Sequence, residues 1–367
     1  MKKVLILIPD LRGGGAERVV VNLVNNFDSD RYQITLMTLF DVGVNKKIIS
    51  DKVDYKYWLP FRIRGFWRVI KMLPADFLHR LIIKEKYDIE IAYLEGMVTK
   101  IISGASPAIK KIAWLHCELK GKEAYFFECY RNREEFSNTY EKFDRVVGVS
   151  KDVIESFKYT ISDKVPKSVV YNTIDTDYIE KLLEEKVDDI TIDSSKLKFI
   201  TVGRLVEQKG YERLLKVFND LNIKYKNIEL FILGEGPLQD KLMEYIYKNN
   251  MKNVHLLGFK RNPYKYEASM DCFICSSFQE GFSTAVTEAL IVGIPFITTA
   301  CSGSKELCSG GAGICCDLDD ESLKKTIELY INNRSIRDEL KKNVSSSKRN
   351  FYKEESIKNF IKVLDTD

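Results

Sequence analysis

Short apolar runs alternate along the chain with stretches where apolar side chains recur every three or four positions. Val4–Ile8 has the pattern of a strand, and the glycines after it lead into a helical pattern over Ala16–Phe27. Gln33–Leu39, Ile89–Leu94, Lys111–His116 and Arg145–Val149 are further strands by the same criterion. The alternation restarts at Leu197–Val202. Helical periodicity then spans Tyr211–Leu221, Leu238–Asn249 and Thr284–Ile291, with strands at Glu229–Leu233, Val254–Leu257, Asp271–Ser276 and Pro295–Thr299. Strand–helix alternation buries each strand on both faces and predicts parallel sheets with helices on either side. Two such series predict an α/β protein of two doubly wound domains, at residues 1–175 and 197–350. Between them, 176–196 has the character of a linker. Thr173–Asp177 is turn-like, Val187–Lys196 is polar, and a short helix over Tyr178–Glu185 lies in between.

Length agrees with this division, since 367 residues exceed one ordinary core. A hydrophobic share of 45% excludes general disorder. The net charge of +4 is too mild for a nucleic-acid binder. The positive excess is N-terminal, with a net charge of +6 over residues 1–175 and −2 beyond them. No apolar run approaches the roughly 18–20 residues that span a bilayer. Met1–Asp10 is a first strand closed by Pro9-Asp10 rather than a signal peptide, because it lacks a small-residue cleavage site. The 8 scattered cysteines predict reduced thiols and a cytoplasmic setting. Cys272 and Cys275 are spaced C-x-x-C within an apolar run, where side chains three apart face opposite sides of a strand. They are expected to pack, not to share a metal.

Several segments carry candidate chemistry. Gly13-Gly14-Gly15 sits between a strand and a helix, where backbone amides and the helix start can receive an anion; a tight turn without a ligand fits equally. Arg204 and Lys209 bracket a loop at a strand's carboxyl end, a natural pair for a diphosphate or simply two solvated charges. In Ser277–Leu290, Glu280 precedes a helix and Glu288 lies about a turn inside it, with the amides of Phe282, Ser283 and Thr284 at the helix start. Two carboxylates beside an anion-friendly helix start suit a sugar and a ribose, or else a capped helix with a surface glutamate. His116 is the one histidine of three at a strand's carboxyl end in the first domain, as a site residue or a structural one. Residues 61–87 carry 7 basic and 2 acidic residues with aromatics between them. They form either an interfacial surface for an anionic membrane or a packed helix pair with solvated charges.

In order and spacing these segments resemble retaining glycosyltransferases of family four (group 1). The resemblance spans essentially the whole chain. It is carried by Gly13–Arg18, Trp114-Leu115-His116, Gly148-Val149-Ser150, Tyr171–Asp175, Val202–Leu205 with Lys209-Gly210, Gly234-Glu235-Gly236-Pro237, Leu257-Gly258-Phe259, and Glu280–Ser283 with Glu288-Ala289. It implies the GT-B fold: two facing Rossmann-like doubly wound parallel-sheet domains with a cleft between them, the first binding the acceptor and the second the nucleotide sugar. It also implies a final helix, near 351–367, that rejoins the first domain; Glu354–Leu364 is the candidate.

By matching position, the resemblance implies that Gly14 and Gly15 offer amides to the donor phosphates and that Arg204 and Lys209 neutralise the diphosphate. Glu288 would bind the ribose. Glu280, with the amides of Phe282, Ser283 and Thr284, would hold the donor sugar, and His116 would contact the sugar in transfer. The Gly234 and Gly258 loops would line the nucleotide. The implied reaction moves a hexose or N-acetylhexosamine from a nucleotide-diphosphate sugar, a UDP-sugar first and a GDP-sugar second, to a glycan. A lipid-linked oligosaccharide in bacterial surface polysaccharide assembly (lipopolysaccharide or capsule) is the leading acceptor. The enzyme would work at the inner face of the membrane, without a cofactor. No metal is expected, because fixed cations and amides would meet the leaving charge and no Asp-x-Asp stands in a suitable loop; Asp319-Asp320 reads as an exposed turn. The competing readings are a nucleotide-sugar epimerase or phosphorylase, a non-catalytic GT-B partner subunit, and a nicotinamide oxidoreductase. The last lacks G-x-G-x-x-G.

Overall fold

The computed structural model describes residues 1–119 and 123–366, with the backbone alone at 124 and 125. The chain divides into two compact units, Met1–Ile174 with Lys353–Asp367, and Asp175–Tyr352.

The first unit is built on seven parallel strands: β1 (Lys2–Ile8), β2 (Tyr32–Phe40), β3 (Asp54–Leu59), β4 (Ile89–Ala92), β5 (Lys110–Leu115), β6 (Arg145–Gly148) and β7 (Lys167–Val169). Their order is β3-β2-β1-β4-β5-β6-β7. Val4–Ile8 is fully buried because β1 pairs with β2 on one side and β4 on the other, while helices cover both faces. An unbroken apolar run is what such a strand needs. The second unit holds six parallel strands: β8 (Leu197–Val202), β9 (Ile228–Leu233), β10 (Val254–Gly258), β11 (Cys272–Cys275), β12 (Phe296–Thr299) and β13 (Gly313–Cys316), in the order β10-β9-β8-β11-β12-β13. Phe199 of β8 anchors its core edge-on against Phe218 (5.5 Å) and Tyr330 (5.7 Å).

In both sheets the order reverses next to the first strand, between β1 and β4 and between β8 and β11. Loops leaving neighbouring strands there run in opposite directions, so a crevice opens outside the strands' carboxyl ends.

The helix Lys353–Asp365 completes the first unit. Phe360 packs edge-on against Phe27 (5.7 Å) and beside Trp114 (5.6 Å). Ser356 Oγ donates to Thr173 Oγ1 (3.0 Å), Lys110 Nζ donates to the carbonyl of Leu364 (3.0 Å), and Arg31 pairs with Asp365. The 3-10 turn Lys348–Phe351 before it belongs to the second unit, and Asp367 lies outside the described residues.

Two expectations need correction. Residues 176–196 group with the second unit. The helix Thr176–Leu182 and the coil after it are fastened there by Asn262 Nδ2 to Leu182 O (2.7 Å) and Tyr266 OH to Asp189 (2.6 Å). Asp319-Asp320 is exposed as expected, but it is a helix start rather than a turn. Asp319 Oδ1 accepts from Ser322 N (2.8 Å), and Asp320 pairs with the buried Arg213 (3.1 Å). Cys272 and Cys275 are both buried, the first in the core near Tyr330 and the second beside Ser277 and Ser283. No described helix is long and apolar enough to cross a membrane.

Candidate active site

The second unit's site is made by two loops that leave β8 and β11 at the reversal point. Gly210 ends the first loop at φ +67°, where a Cβ would come within 2.1 Å of the Ser276 carbonyl oxygen. Only glycine permits this approach, and a short ladder then joins the loops. Phe278 N donates to Gln208 O (2.8 Å), Gln208 Nε2 to Gln279 O (2.7 Å), and Ser276 Oγ to Lys209 O (3.0 Å).

This ladder sets Lys209 against Glu280, Nζ to Oε1, at 2.7 Å. The same oxygen accepts from Ser277 Oγ (2.6 Å), and Ser277 is held in turn by Thr299 Oγ1 donating to its carbonyl (2.6 Å). Burial works to discharge the Lys209 ammonium, but the Glu280 carboxylate and Cys275 outweigh it, and its pKa is raised. Lys209 is therefore a cation at any physiological pH. Arg204 stands exposed on the same loop, near enough for its charge to oppose that of Lys209.

Ser283 caps the helix Thr284–Val292, its hydroxyl accepting from Val286 N (3.4 Å). Thr287 N to Ser283 O (3.1 Å) is an early bond of that helix. The amides at Ser283 and Thr284 come before the intrahelical ladder, where a helix start attracts an anion. Glu288 is half-buried one turn in. Against it lies Glu267, 1% exposed, whose pKa is pushed well up by burial and by the charge of Glu288.

Gly234 and Gly258 serve the backbone first. Gly234 sits at φ +136°, and a Cβ there would meet Gly203 O at 1.9 Å. This close approach lets the loop after β9 lie on the loop after β8, with Leu205 N bonded to Glu235 O (2.9 Å) and Leu238 N to Leu205 O (3.0 Å). The Gly258 carbonyl accepts from Gly234 N (2.8 Å).

Gly14, Gly15 and His116 belong to the first unit. Gly14 is the N-cap of the helix Gly15–Asn26, with extended backbone. The loop before it is braced by the buried Asp10, which accepts from Arg12 N (3.2 Å) and Nε (3.0 Å). His116 follows β5 directly. Its amide donates to Glu95 Oε1 (2.6 Å), as does that of Cys117 (2.8 Å), and its ring lies 4.7 Å from the Tyr93 ring. Burial lowers its pKa to about 3, so the imidazole is neutral. Its Nε2 is buried and has no hydrogen-bond partner among the described residues.

Sequence reasoning missed Glu95, Ser277 and Glu267. Glu95-Gly96 directly follows an expected strand, and an acid beside a glycine at a strand's carboxyl end was a usable signal. Ser277 and Glu267 carried none, since each acts through a neighbour brought up by the fold. Among the described residues, no group of three His, Cys, Asp or Glu side chains is placed to hold a metal ion.

Two family models match the chain. Glycosyltransferase Family 4 covers residues 13–178, and glycosyl transferases group 1 covers residues 183–347. An uncharacterized glycosyltransferase of Methanocaldococcus jannaschii is 32% identical over 272 residues, which is 71% of this chain and 65% of that protein, just under two thirds of its length. The N-acetylgalactosamine-N,N'-diacetylbacillosaminyl-diphospho-undecaprenol 4-alpha-N-acetylgalactosaminyltransferase of Campylobacter jejuni is 27% identical over 99% of this chain and 100% of its own. Among solved structures, Anabaena HepE in complex with UDP and glucose superposes with a TM-score of 0.76 over 100% of both chains, at 17% identity.

Proposed function

Since this chain belongs to the group 1 glycosyltransferases of family four and has their GT-B fold, we propose that it transfers a hexose or N-acetylhexosamine from a UDP-sugar to a lipid-linked oligosaccharide, with retention at the anomeric carbon. The observation that carries this reading is the Lys209–Glu280 pair, fixed at the sheet's reversal point beside a capped helix start. Transfer breaks an anomeric C–O bond and leaves charge on the departing diphosphate. Lys209, Arg204 and the amides of Phe282, Ser283 and Thr284 are preset to meet that charge, which is the economical form of electrostatic catalysis. Glu280 holds the sugar hydroxyls and Glu288 the ribose. Gly15 offers its amide to the donor phosphates, whereas the Gly14 amide is turned inward, donating to Arg12 O (2.9 Å). The Gly234 and Gly258 loops border the nucleotide. His116 contacts the transferred sugar as a neutral hydrogen-bonding group rather than as an acid. Cations and amides in these positions also support a reaction that needs no metal.

HepE's complex with UDP supports the nucleotide, and the undecaprenol-linked substrate in the Campylobacter enzyme's name supports the acceptor class and a role in surface polysaccharide assembly. An acceptor in a membrane calls for contact with the cytoplasmic leaflet. Phe61, Ile63, Val69, Met72, Phe77 and Leu81 are exposed among Arg62, Arg64, Arg68, Lys71 and Arg80, which supports peripheral attachment through this part of the first unit. The protein should then sediment with anionic vesicles and be released by salt; equal binding to neutral vesicles counts against the patch.

The deciding experiment incubates the protein with UDP- and GDP-sugars and a polyprenyl-diphosphate oligosaccharide, with and without chelator, and assigns the new anomeric centre by NMR. A product heavier by one sugar, with the donor's anomeric configuration, formed in chelator, is the expected result. An inverted product, or a rate abolished by chelator and restored by Mg²⁺, overturns that part of the reading. A donor altered without transfer favours an epimerase.

A further inference from the structure

We propose that Arg213 is a positioning residue of the donor site: its guanidinium is the rest on which Phe278 is set, and with Phe278 the loop that carries Glu280. This deepens the transfer reading and rests on it, but the order of the loop is measurable without any substrate.

Arg213 lies in the first turn of the helix Tyr211–Lys224, directly after the loop of Arg204 and Lys209, and is 3% exposed. Its guanidinium carbon stands over the Phe278 ring, 4.7 Å from the ring centre. Phe278 adjoins Ser277, whose hydroxyl donates to Glu280 Oε1 (2.6 Å). The stem of Arg213 lies under the other loop, with Cδ 2.9 Å from where a Cβ on Gly210 would stand. From behind, Nε donates to Asp320 Oδ1 (3.1 Å) and Nη2 to Leu318 O, which ties the guanidinium to the start of the helix Asp320–Asn332. Nη1 is buried and has no hydrogen-bond partner among the described residues. A cation over an aromatic face is held by the ring quadrupole, most strongly where water is excluded. The Phe278 face therefore offsets part of what that donor lacks.

Stability alone does not call for a charge here. Arg213 is buried while the Asp320 side chain is 56% exposed, and apolar side chains of similar volume often replace such pairs without loss. What the guanidinium adds is a fixed angle for the donor loop. Phe278 N donates to Gln208 O (2.8 Å) and Thr299 Oγ1 to Ser277 O (2.6 Å), so the backbone here is held on two sides. The ring on Arg213 restrains the remaining rotation, the one that would swing Glu280 away from Lys209. Glu280 holds the sugar in the transfer reading, and a misplacement of about 1 Å can cost about 10²-fold in rate.

The test begins with hydrogen exchange of the ligand-free chain, read by mass spectrometry over peptides covering residues 206–210 and 276–283. Arg213→Met should speed exchange there by about tenfold or more, while peptides from β9 and the helix Thr284–Val292 keep the parent rates. Arg213→Lys keeps a cation beside the ring and should recover much of the protection. Phe278 is 52% exposed, so Phe278→Leu spares the fold. It should loosen the loop as much as Arg213→Met does, and the double variant should be no looser than either single one. In transfer from a UDP-sugar, Arg213→Met should lower kcat roughly 10–100-fold, with UDP affinity by calorimetry within about threefold of the parent, because Glu288 and the helix-start amides are untouched. Parent-like exchange in Arg213→Met, acceleration spread evenly over the second unit, additive effects in the double variant, or a fall in UDP affinity equal to the fall in kcat overturns the proposal. A parent chain that transfers no sugar sinks the transfer reading instead, and the exchange rates still decide whether Arg213 sets the loop.

Discussion

Replacing Lys209 by methionine keeps the aliphatic stem and deletes the charge. What remains is a Glu280 carboxylate whose side chain is 11% exposed, held by the single hydroxyl of Ser277. Breaking a fully buried ion pair costs about 3–5 kcal/mol, because the surviving charge stays desolvated, whereas an exposed pair is worth about 1 kcal/mol or less. With Lys209 itself 25% exposed, this pair falls between those limits, and a loss of about 2 kcal/mol is expected. Glu280→Gln should cost less, since the amide oxygen still accepts from Ser277 and the stranded ammonium is the more exposed partner. The double variant should show a coupling of about 1–2 kcal/mol. Urea titration of the ligand-free protein, followed by circular dichroism, gives these values. Calorimetry with UDP gives the second half of the argument: Lys209→Met should bind roughly 10–100-fold more weakly, the worth of one charge-assisted hydrogen bond. The reasoning fails if Lys209→Met is as stable as the parent chain while Glu280→Gln is not, or if the coupling is zero.

Glu288→Ala should weaken UDP by roughly 10–100-fold by removing an acceptor for two hydroxyls, whereas Glu280→Ala should leave UDP affinity nearly unchanged and depress transfer. Equal losses of nucleotide affinity in the two variants would undo the assignment of one carboxylate to ribose and the other to sugar. His116 titrates at about 3 in the fold against 6.5 when free. A base with a depressed pKa contributes stability that is present above 6.5 and lost as pH falls toward 3, at up to about 1.4 kcal/mol per pH unit. His116→Gln should flatten that slope in denaturation curves taken across the window, and an unchanged slope would show that the ring is not desolvated as described. Gly234→Ala forces a Cβ toward Gly203 O at 1.9 Å and at positive φ, so a loss above about 2 kcal/mol is expected in thermal unfolding.

Strands buried on both faces were legible because unbroken apolar runs such as Val4–Ile8 and Leu230–Leu233 have few other uses. β3 and β7 were not legible. Asp54–Leu59 is an edge strand with a half-exposed, mixed face, and Lys167–Val169 is three residues long. The helix of Asp320–Asn332 hid behind an Asp-Asp pair that resembles a turn, because an N-cap and a turn draw on the same residues. At the site, Arg204, Lys209, Glu280 and Glu288 were legible as side chains at strand ends. Their pairing was not. That Lys209 rests on Glu280 depends on a ladder between loops separated by a whole βαβ excursion. Glu267 reads as one more surface acid until the helix Tyr264–Glu267 is seen packed beside Glu288.

The helix Lys353–Asp365 sets an order on synthesis. The first unit leaves the ribosome early, yet Phe27 and Trp114 have no Phe360 to cover them until residues 353–365 are made. At ribosomal rates of roughly 5–20 residues per second, the intervening unit takes on the order of 10–40 seconds to emerge. For that interval a nearly finished sheet carries an uncovered aromatic surface, which nascent-chain chaperones would have to shield. A stop codon near residue 350 would make the exposure permanent, so loss of this short tail should send the protein to aggregation or proteolysis before any defect in catalysis could be seen.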